Sequence, residues 1–200
     1  KRILRQLDKI DAIWADFYPT VSEIAASGSV SDEQVAIVAK NNLPLLKQMN
    51  KAVGLYVKDA KKGGLKADPG LAATINLSGK QRMLTQKMSK EFLLVAYGFD
   101  TENNKLSLLE TYSLFERTLK GLKDGDENLG LPATTQTHIV EQLAVVNKLW
   151  LDFKPVVEFA ANYKTKTIPK NNVTELASMN LPLLKEMNKA VGLYEKESNK

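Results

Sequence analysis

The chain has 200 residues, of which 44% are hydrophobic and 26% charged, and this composition is typical of globular domains. It contains no cysteine, which excludes disulfides, thiolate catalysis and thiolate metal sites, and no run reaches the roughly 18–20 apolar residues of a membrane span. The net charge of +5 is carried mainly by lysines scattered among acidic residues. This pattern predicts a solvated helical surface, and we do not expect nucleic acid as a partner.

The predicted elements are all helices. Two helices in residues 1–64 form a hairpin, with a turn at Gly28 and a second helix that starts at Ser31. The glycine pair 63–64 ends this helix, and Asp68 followed by Pro69 opens a third helix that runs to about Gly98.

A fourth helix is predicted to begin at Asp100 or Thr101 and to end near 121–125. After a loop around 130–132, two more helices cover about 134–164 and 171–198. No alternating strand pattern occurs, so the sequence predicts an all-α fold of long antiparallel helices in up-down bundles. We expect helix in more than about three-quarters of the residues.

An internal repeat organises these helices. Residues 42–56 and 180–194 differ only at Gln48 against Glu186, and 13–19 resembles 149–155 at an offset of 136. Residues 69–200 make a complete unit and residues 1–64 correspond to the second half of another, so the bundles are in tandem as one and a half repeats. Because the chain starts inside a predicted helix, we treat it as a fragment and expect a front half to precede Lys1. The apolar face of the hairpin 1–64 is expected to pack on residues 69–124 or on another chain.

Several unusual residues recur at equivalent positions of the two copies. Prolines stand inside the helical patterns at 19 and 155, and again at 44 and 182, where we expect kinks or first-turn positions. Trp14 and Trp150 are also equivalent, and we interpret both as anchors of a core or an interface.

The third helix divides into three arcs when it is advanced 100° per residue. One arc is apolar, and a second is charged and expected to face solvent; the charged residues are Lys80, Lys87, Lys90 and Glu91. The third arc is small and polar, and comprises Ser78, Gly79, Arg82, Thr85, Gln86 and Ser89. Arg82 is its only charge, and Gly79 suggests that another helix approaches closely. The partner of Arg82 is predicted to be either an acid such as Asp152 or Glu110, or a bound anion.

The same stretch resembles the signature of PilJ-type sensor domains, which occur in type IV pilus chemotaxis transducers and nitrate sensor kinases. The matching pattern is Asn-x-x-Gly-x-x-Arg-Met followed by a hydroxyl residue and Gln, at Asn76, Gly79, Arg82, Met83, Thr85 and Gln86. The resemblance implies a periplasmic ligand-binding module in which the arginines of two subunits grip nitrate at a dimer interface. Arg82 would take that role, with Asn76, Ser78, Gly79, Thr85 and Gln86 around it. The tandem arrangement departs from the usual single module between two membrane spans.

The sequence does not support an enzymatic function. His138 is the only histidine, which excludes a histidine-based metal or haem cage, so we predict neither a catalytic residue nor a cofactor. The main expectation is a sensor that binds a small anion, with a homodimer or another helical protein as partner. The alternative is a structural or adaptor protein, because the near-identical segments 42–56 and 180–194 suggest one surface used twice. A membrane-surface role is weakened by the acids among the lysines, and membrane contact is expected only through flanking segments.

Overall fold

The structure, a computed structural model, describes residues 1–62 and 69–198 and contains six α-helices in that part of the chain. They are α1 (Arg2–Ser27), α2 (Asp32–Lys62), α3 (Pro69–Tyr97), α4 (Thr101–Asp124), α5 (Thr137–Ala161) and α6 (Lys170–Ser198). Helix accounts for 87% of the described residues, and these contain no strand beyond one isolated bridge. The predicted all-α fold is confirmed. None of the described helices is long and apolar enough to cross a bilayer.

The local signals in the sequence account for most helix ends. At the start of α2, the Ser31 hydroxyl accepts from the Gln34 N–H at 3.2 Å while the Gln34 side chain accepts from the Ser31 N–H at 2.9 Å, which is a capping box. Gly28 ends α1 and Gly98 follows α3, and both have positive φ, at 65° and 86°. The glycine pair 63–64 and Asp68 lie outside the described residues.

The described chain forms two compact units, residues 1–62 and 69–198. In the second unit, α3 and α5 each pack beside both α4 and α6, which gives an antiparallel four-helix bundle. Its core takes residues from all four helices, with Trp150 only 1% exposed and in ring contact with Phe115 at 4.6 Å. The largest buried side chains are Trp150, Phe92, Phe115, Phe153, Met88, Leu108, Leu122, Ile139, Leu143, Leu176, Leu183 and Met187.

The first unit is a hairpin of α1 and α2 with a thin core that includes Ile10, Phe17, Val35 and Ala52. The prediction that its apolar face packs on residues 69–124 or on another chain stays a prediction. The four repeated prolines lie inside α1, α2, α5 and α6, and each helix continues past its proline.

One expectation for α3 is wrong. Glu91 was assigned to a solvent-facing arc, but its side chain is 1% exposed, and Lys87 beside it is 21% exposed. The Lys87 Nζ lies 2.6 Å from Glu91 Oε1 and donates to the Thr111 hydroxyl of α4 at 2.5 Å. Desolvation lowers the pKa of the adjacent Lys90, opposed by the Glu91 charge and assisted by that of Lys87. Packing of α4 over this arc buries an ion pair that helix periodicity alone assigns to the surface.

Candidate functional site

Arg82 lies on the surface of the bundle where α3 runs beside α6. Its Nη1 donates to the side-chain oxygen of Asn188 at 2.7 Å. One turn further along α3, Gln86 donates to the side-chain oxygen of Asn180 at 2.6 Å. Asn180 and Asn188 are two turns apart on α6, so both side chains of α3 meet the same face of α6.

The ion pair considered for Arg82 is absent from the described residues. No carboxylate there lies within 4.0 Å of the guanidinium, so neither Asp152 nor Glu110 is its partner. A guanidinium has five N–H donors, and Asn188 takes one of them as a neutral acceptor. The positive charge of Arg82 is therefore not neutralised by a described acidic side chain.

An open depression of about 530 Å³ lies beside the guanidinium. It is lined by Arg82, Leu181, Leu184, Lys185 and Asn188. Two cations and no carboxylate line it, with an amide and two leucines as the other components. Such a lining favours a small anion that accepts hydrogen bonds and has little need of further polar contact.

Gly79 lies about one turn before Arg82 on α3. A methyl group placed on Gly79 would come 3.7 Å from Arg82 Nη2, which is ordinary contact, and no other described atom outside its own helix turn would be within 4 Å. No described helix contacts Gly79 in the direction of this methyl group, and the expectation that another helix approaches Gly79 closely stays a prediction.

The remaining predicted site residues separate into two groups. Asn76 and Gln86 are exposed, whereas Ser78 and Thr85 are fully buried. The Ser78 hydroxyl donates to the Ile75 carbonyl at 3.1 Å and the Thr85 hydroxyl to the Gln81 carbonyl at 3.0 Å. These hydroxyls bond to carbonyls of their own helix inside the bundle, and of the predicted site residues only Arg82 lines the depression.

The α6 side of the depression was not identified as part of a site from the sequence. The available signal was the near-identity of 42–56 and 180–194, which extends to the exposed residues Leu181, Lys185 and Asn188. A repeat that preserved only packing would not need to retain these side chains. Their retention in both copies indicates that the surface beside Arg82 has a role other than packing.

Comparisons with known proteins concern the family and the fold of the chain. The family model of the type IV pili methyl-accepting chemotaxis transducer N-terminal domain, PilJ, matches residues 65–176. Among solved structures, the ligand-binding domain of the Pseudomonas aeruginosa nitrate receptor McpN is similar, with a TM-score of 0.55 and 25% sequence identity. The match covers 66% of this chain and 99% of that one. No curated protein sequence matches the chain significantly.

Proposed function

Because the chain belongs to the PilJ family of chemotaxis transducer N-terminal domains, we propose that it is a sensor domain that binds a small oxyanion at Arg82. The observation that carries the proposal is a guanidinium that no described carboxylate neutralises, at the edge of an open depression shared with Lys185. Nitrate is the first anion to test, since the similar domain belongs to a nitrate receptor. Arg82 would hold the anion by two parallel N–H donors, and Lys185 would add a point charge.

We further propose that a second copy of the chain closes the site. The depression is open, Gly79 is not covered by another helix, and Leu181 at its rim is 67% exposed. Apolar surface beside a charged centre is typical of a contact between subunits. Two α3 helices that approach at Gly79 would bring two Arg82 side chains to one anion. The negative charge of the anion would offset part of the repulsion between the two guanidinium groups.

As a domain of this family we place the chain outside the cytoplasm, in the bacterial periplasm. Anion binding there would be transmitted by a shift of α3 against α6, because Arg82 and Gln86 couple these two helices through Asn188 and Asn180.

The binding proposal is tested by titration calorimetry of the chain with nitrate and with a panel of small carboxylates. Arg82→Ala should abolish nitrate binding, and Arg82→Lys should weaken it, since an ammonium keeps the charge but loses the paired donors. Arg117→Ala is the matched control, because Arg117 is an exposed arginine that pairs with Asp126. Equal binding by the wild type and Arg82→Ala would contradict the proposal.

Stability measurements keep binding separate from folding. The native contact of Arg82 is one hydrogen bond to an exposed amide, so Arg82→Ala should cost only about 0.5–1.5 kcal/mol of unfolding free energy. Sedimentation with and without nitrate tests the second copy, and nitrate should increase the dimer fraction of the wild type but not of Arg82→Ala.

The alternative is an adaptor that uses the repeated leucines for a protein partner. Leu43 and Leu181 are equivalent and both are exposed, at 48% and 67%. If no anion of the panel binds and Leu181→Asp abolishes association with a helical partner, the adaptor function replaces the sensor function.

A further inference from the structure

The hairpin of α1 and α2 matches the pair α5 and α6 in its fold and in individual side-chain hydrogen bonds. Gln6 Nε2 donates to the Gln48 carbonyl at 3.0 Å, and the equivalent Gln142 Nε2 donates to the Glu186 carbonyl at 2.9 Å. The same side-chain nitrogens also reach the side chains of Gln48 and Glu186, at 2.8 and 3.0 Å. Sequence and local geometry therefore make the two hairpins copies of one another.

The two copies differ in what covers their apolar faces. Trp150 is 1% exposed and its equivalent Trp14 is 43% exposed. Tyr194 is 4% exposed and its equivalent Tyr56 is 52% exposed. The same contrast holds for two further pairs, Met187 with Met49 and Val191 with Val53. A face that is a bundle core in one copy is thus open surface in the other.

The structure also shows what occupies this face when it is covered. In the second unit α3 packs on α6 and α4 packs on α5, and the ring of Phe115 in α4 packs against Trp150 at an interplanar angle of 44°, with ring centroids 4.6 Å apart. Because Trp14, Met49, Val53 and Tyr56 present the same side chains as the covered face, they fit the same kind of helix pair.

The outward surface of the hairpin repeats as well. The α6 residues that line the Arg82 depression, Leu181, Leu184, Lys185 and Asn188, recur in α2 as Leu43, Leu46, Lys47 and Asn50. Asn180, the partner of Gln86, recurs as Asn42. Exposed positions of α1 and α5 have instead diverged, as in Arg5 against Glu141 and Lys9 against Val145. Packing explains the repeated core, but it does not explain this repeated surface.

We propose that α1 and α2 are half of a second anion-binding unit. Their apolar face receives a helix pair of the α3–α4 type, and the arginine of that pair meets Asn50 as Arg82 meets Asn188. The second site rests on the proposed function, whereas the docking of the helix pair does not. The repeat register gives the position at which such a pair can be joined for a test, because residue 1 is equivalent to residue 137, which residues 69–136 directly precede.

The experiment uses this register. A copy of residues 69–136 is joined directly ahead of Lys1, which makes an extended chain whose added segment meets α1 as residues 69–136 meet α5. Quenching of tryptophan fluorescence by acrylamide is measured for the original and the extended chain, each against its Trp14→Phe variant to isolate the signal of Trp14. Trp14 should be readily quenched in the original chain and protected in the extended one.

A matched control places aspartate at the position of the added segment that corresponds to Phe115. This change should make Trp14 readily quenched again, because Phe115 is the ring that packs against Trp150. Equal quenching of Trp14 in the original and extended chains overturns the proposal. So does a dimer of the original chain that protects Trp14 and that Met49→Asp dissociates, which would assign the face to a second copy.

Calorimetric titration with nitrate then measures the number of binding sites per chain. The extended chain should bind twice as much nitrate per chain as the original, and Asn50→Leu should weaken only the added site. An unchanged number of sites, with Arg82 still binding nitrate, overturns the second site. If the original chain binds no nitrate, the proposed function fails, and protection of Trp14 still decides whether the helix pair docks.

Discussion

The buried pair of Lys87 and Glu91 offers a direct test of how the second unit is held together. The Glu91 side chain is 1% exposed, its Oε1 lies 2.6 Å from the Lys87 Nζ, and its Oε2 has no hydrogen-bond partner among the described residues. Lys87→Met removes the ammonium and keeps the aliphatic stem. The variant leaves a carboxylate in the core without its counter-charge, which should lower the free energy of unfolding by about 3–5 kcal/mol.

A double-mutant cycle tests whether the loss of stability comes from the unpaired charge of Glu91. Glu91→Met leaves Lys87, which is 21% exposed and can turn to solvent, so that variant should cost less than Lys87→Met. The double variant Lys87→Met/Glu91→Met removes both charges, and it should recover most of the loss or exceed the wild type.

The assay is native-state hydrogen exchange of amides in α3 and α5, which reports on the second unit separately from α1 and α2. Lys189→Met is the control, since Lys189 pairs with Glu186 at the surface and is 52% exposed, and its removal should cost about 0–1 kcal/mol. The reasoning is refuted if Lys87→Met costs no more than Lys189→Met, or if the double variant is less stable than both single variants.

Two further predictions concern the loop after α4 and the acid sensitivity of α6. Gly125→Ala should destabilise the chain by about 1–3 kcal/mol, because Gly125 has a φ of 87° and its added methyl would lie 3.1 Å from the Ala133 nitrogen. Gly130 has a φ of 65° and no atom within 4 Å of an added methyl, so Gly130→Ala should cost less stability in thermal melts. The hydrogen bond from Lys189 holds the pKa of Glu186 below its ordinary value, so its stabilisation is present above the unfolded pKa and is lost as pH falls through the folded one. As pH falls below the ordinary value of 4.5, the wild type should therefore lose more stability than Glu186→Gln, and parallel acid titrations contradict the prediction if the two curves coincide.

Helix boundaries were largely predictable because they depend on residues close together in sequence. The box of Ser31 and Gln34, the glycine after α1 and the glycine after α3 each act within one turn. The last two helices were predicted at about 134–164 and 171–198, and they span Thr137–Ala161 and Lys170–Ser198. The internal repeat and the place of Arg82 on a polar arc of α3 could likewise be deduced from the sequence.

The candidate site could be predicted only in part. The signature identified Arg82, but Asn188 and Lys185 lie roughly one hundred residues away and carry no signature of their own. The placement of Ser78 and Thr85 in the core could not be deduced from a helix drawn alone, since which arc is buried depends on where α4 and α6 pack.

The sequence by itself determined that this protein is helical, that residues 42–56 recur at 180–194, and that its unusual arginine lies on a small polar arc. Only the tertiary structure decided that Glu91 is buried, that Arg82 meets an amide and no described acid, and that Trp14 and Trp150 differ in exposure. The physical reason is the range of the interactions. Capping and helical periodicity act within a few residues, whereas burial and charge pairing depend on which distant helix lies alongside.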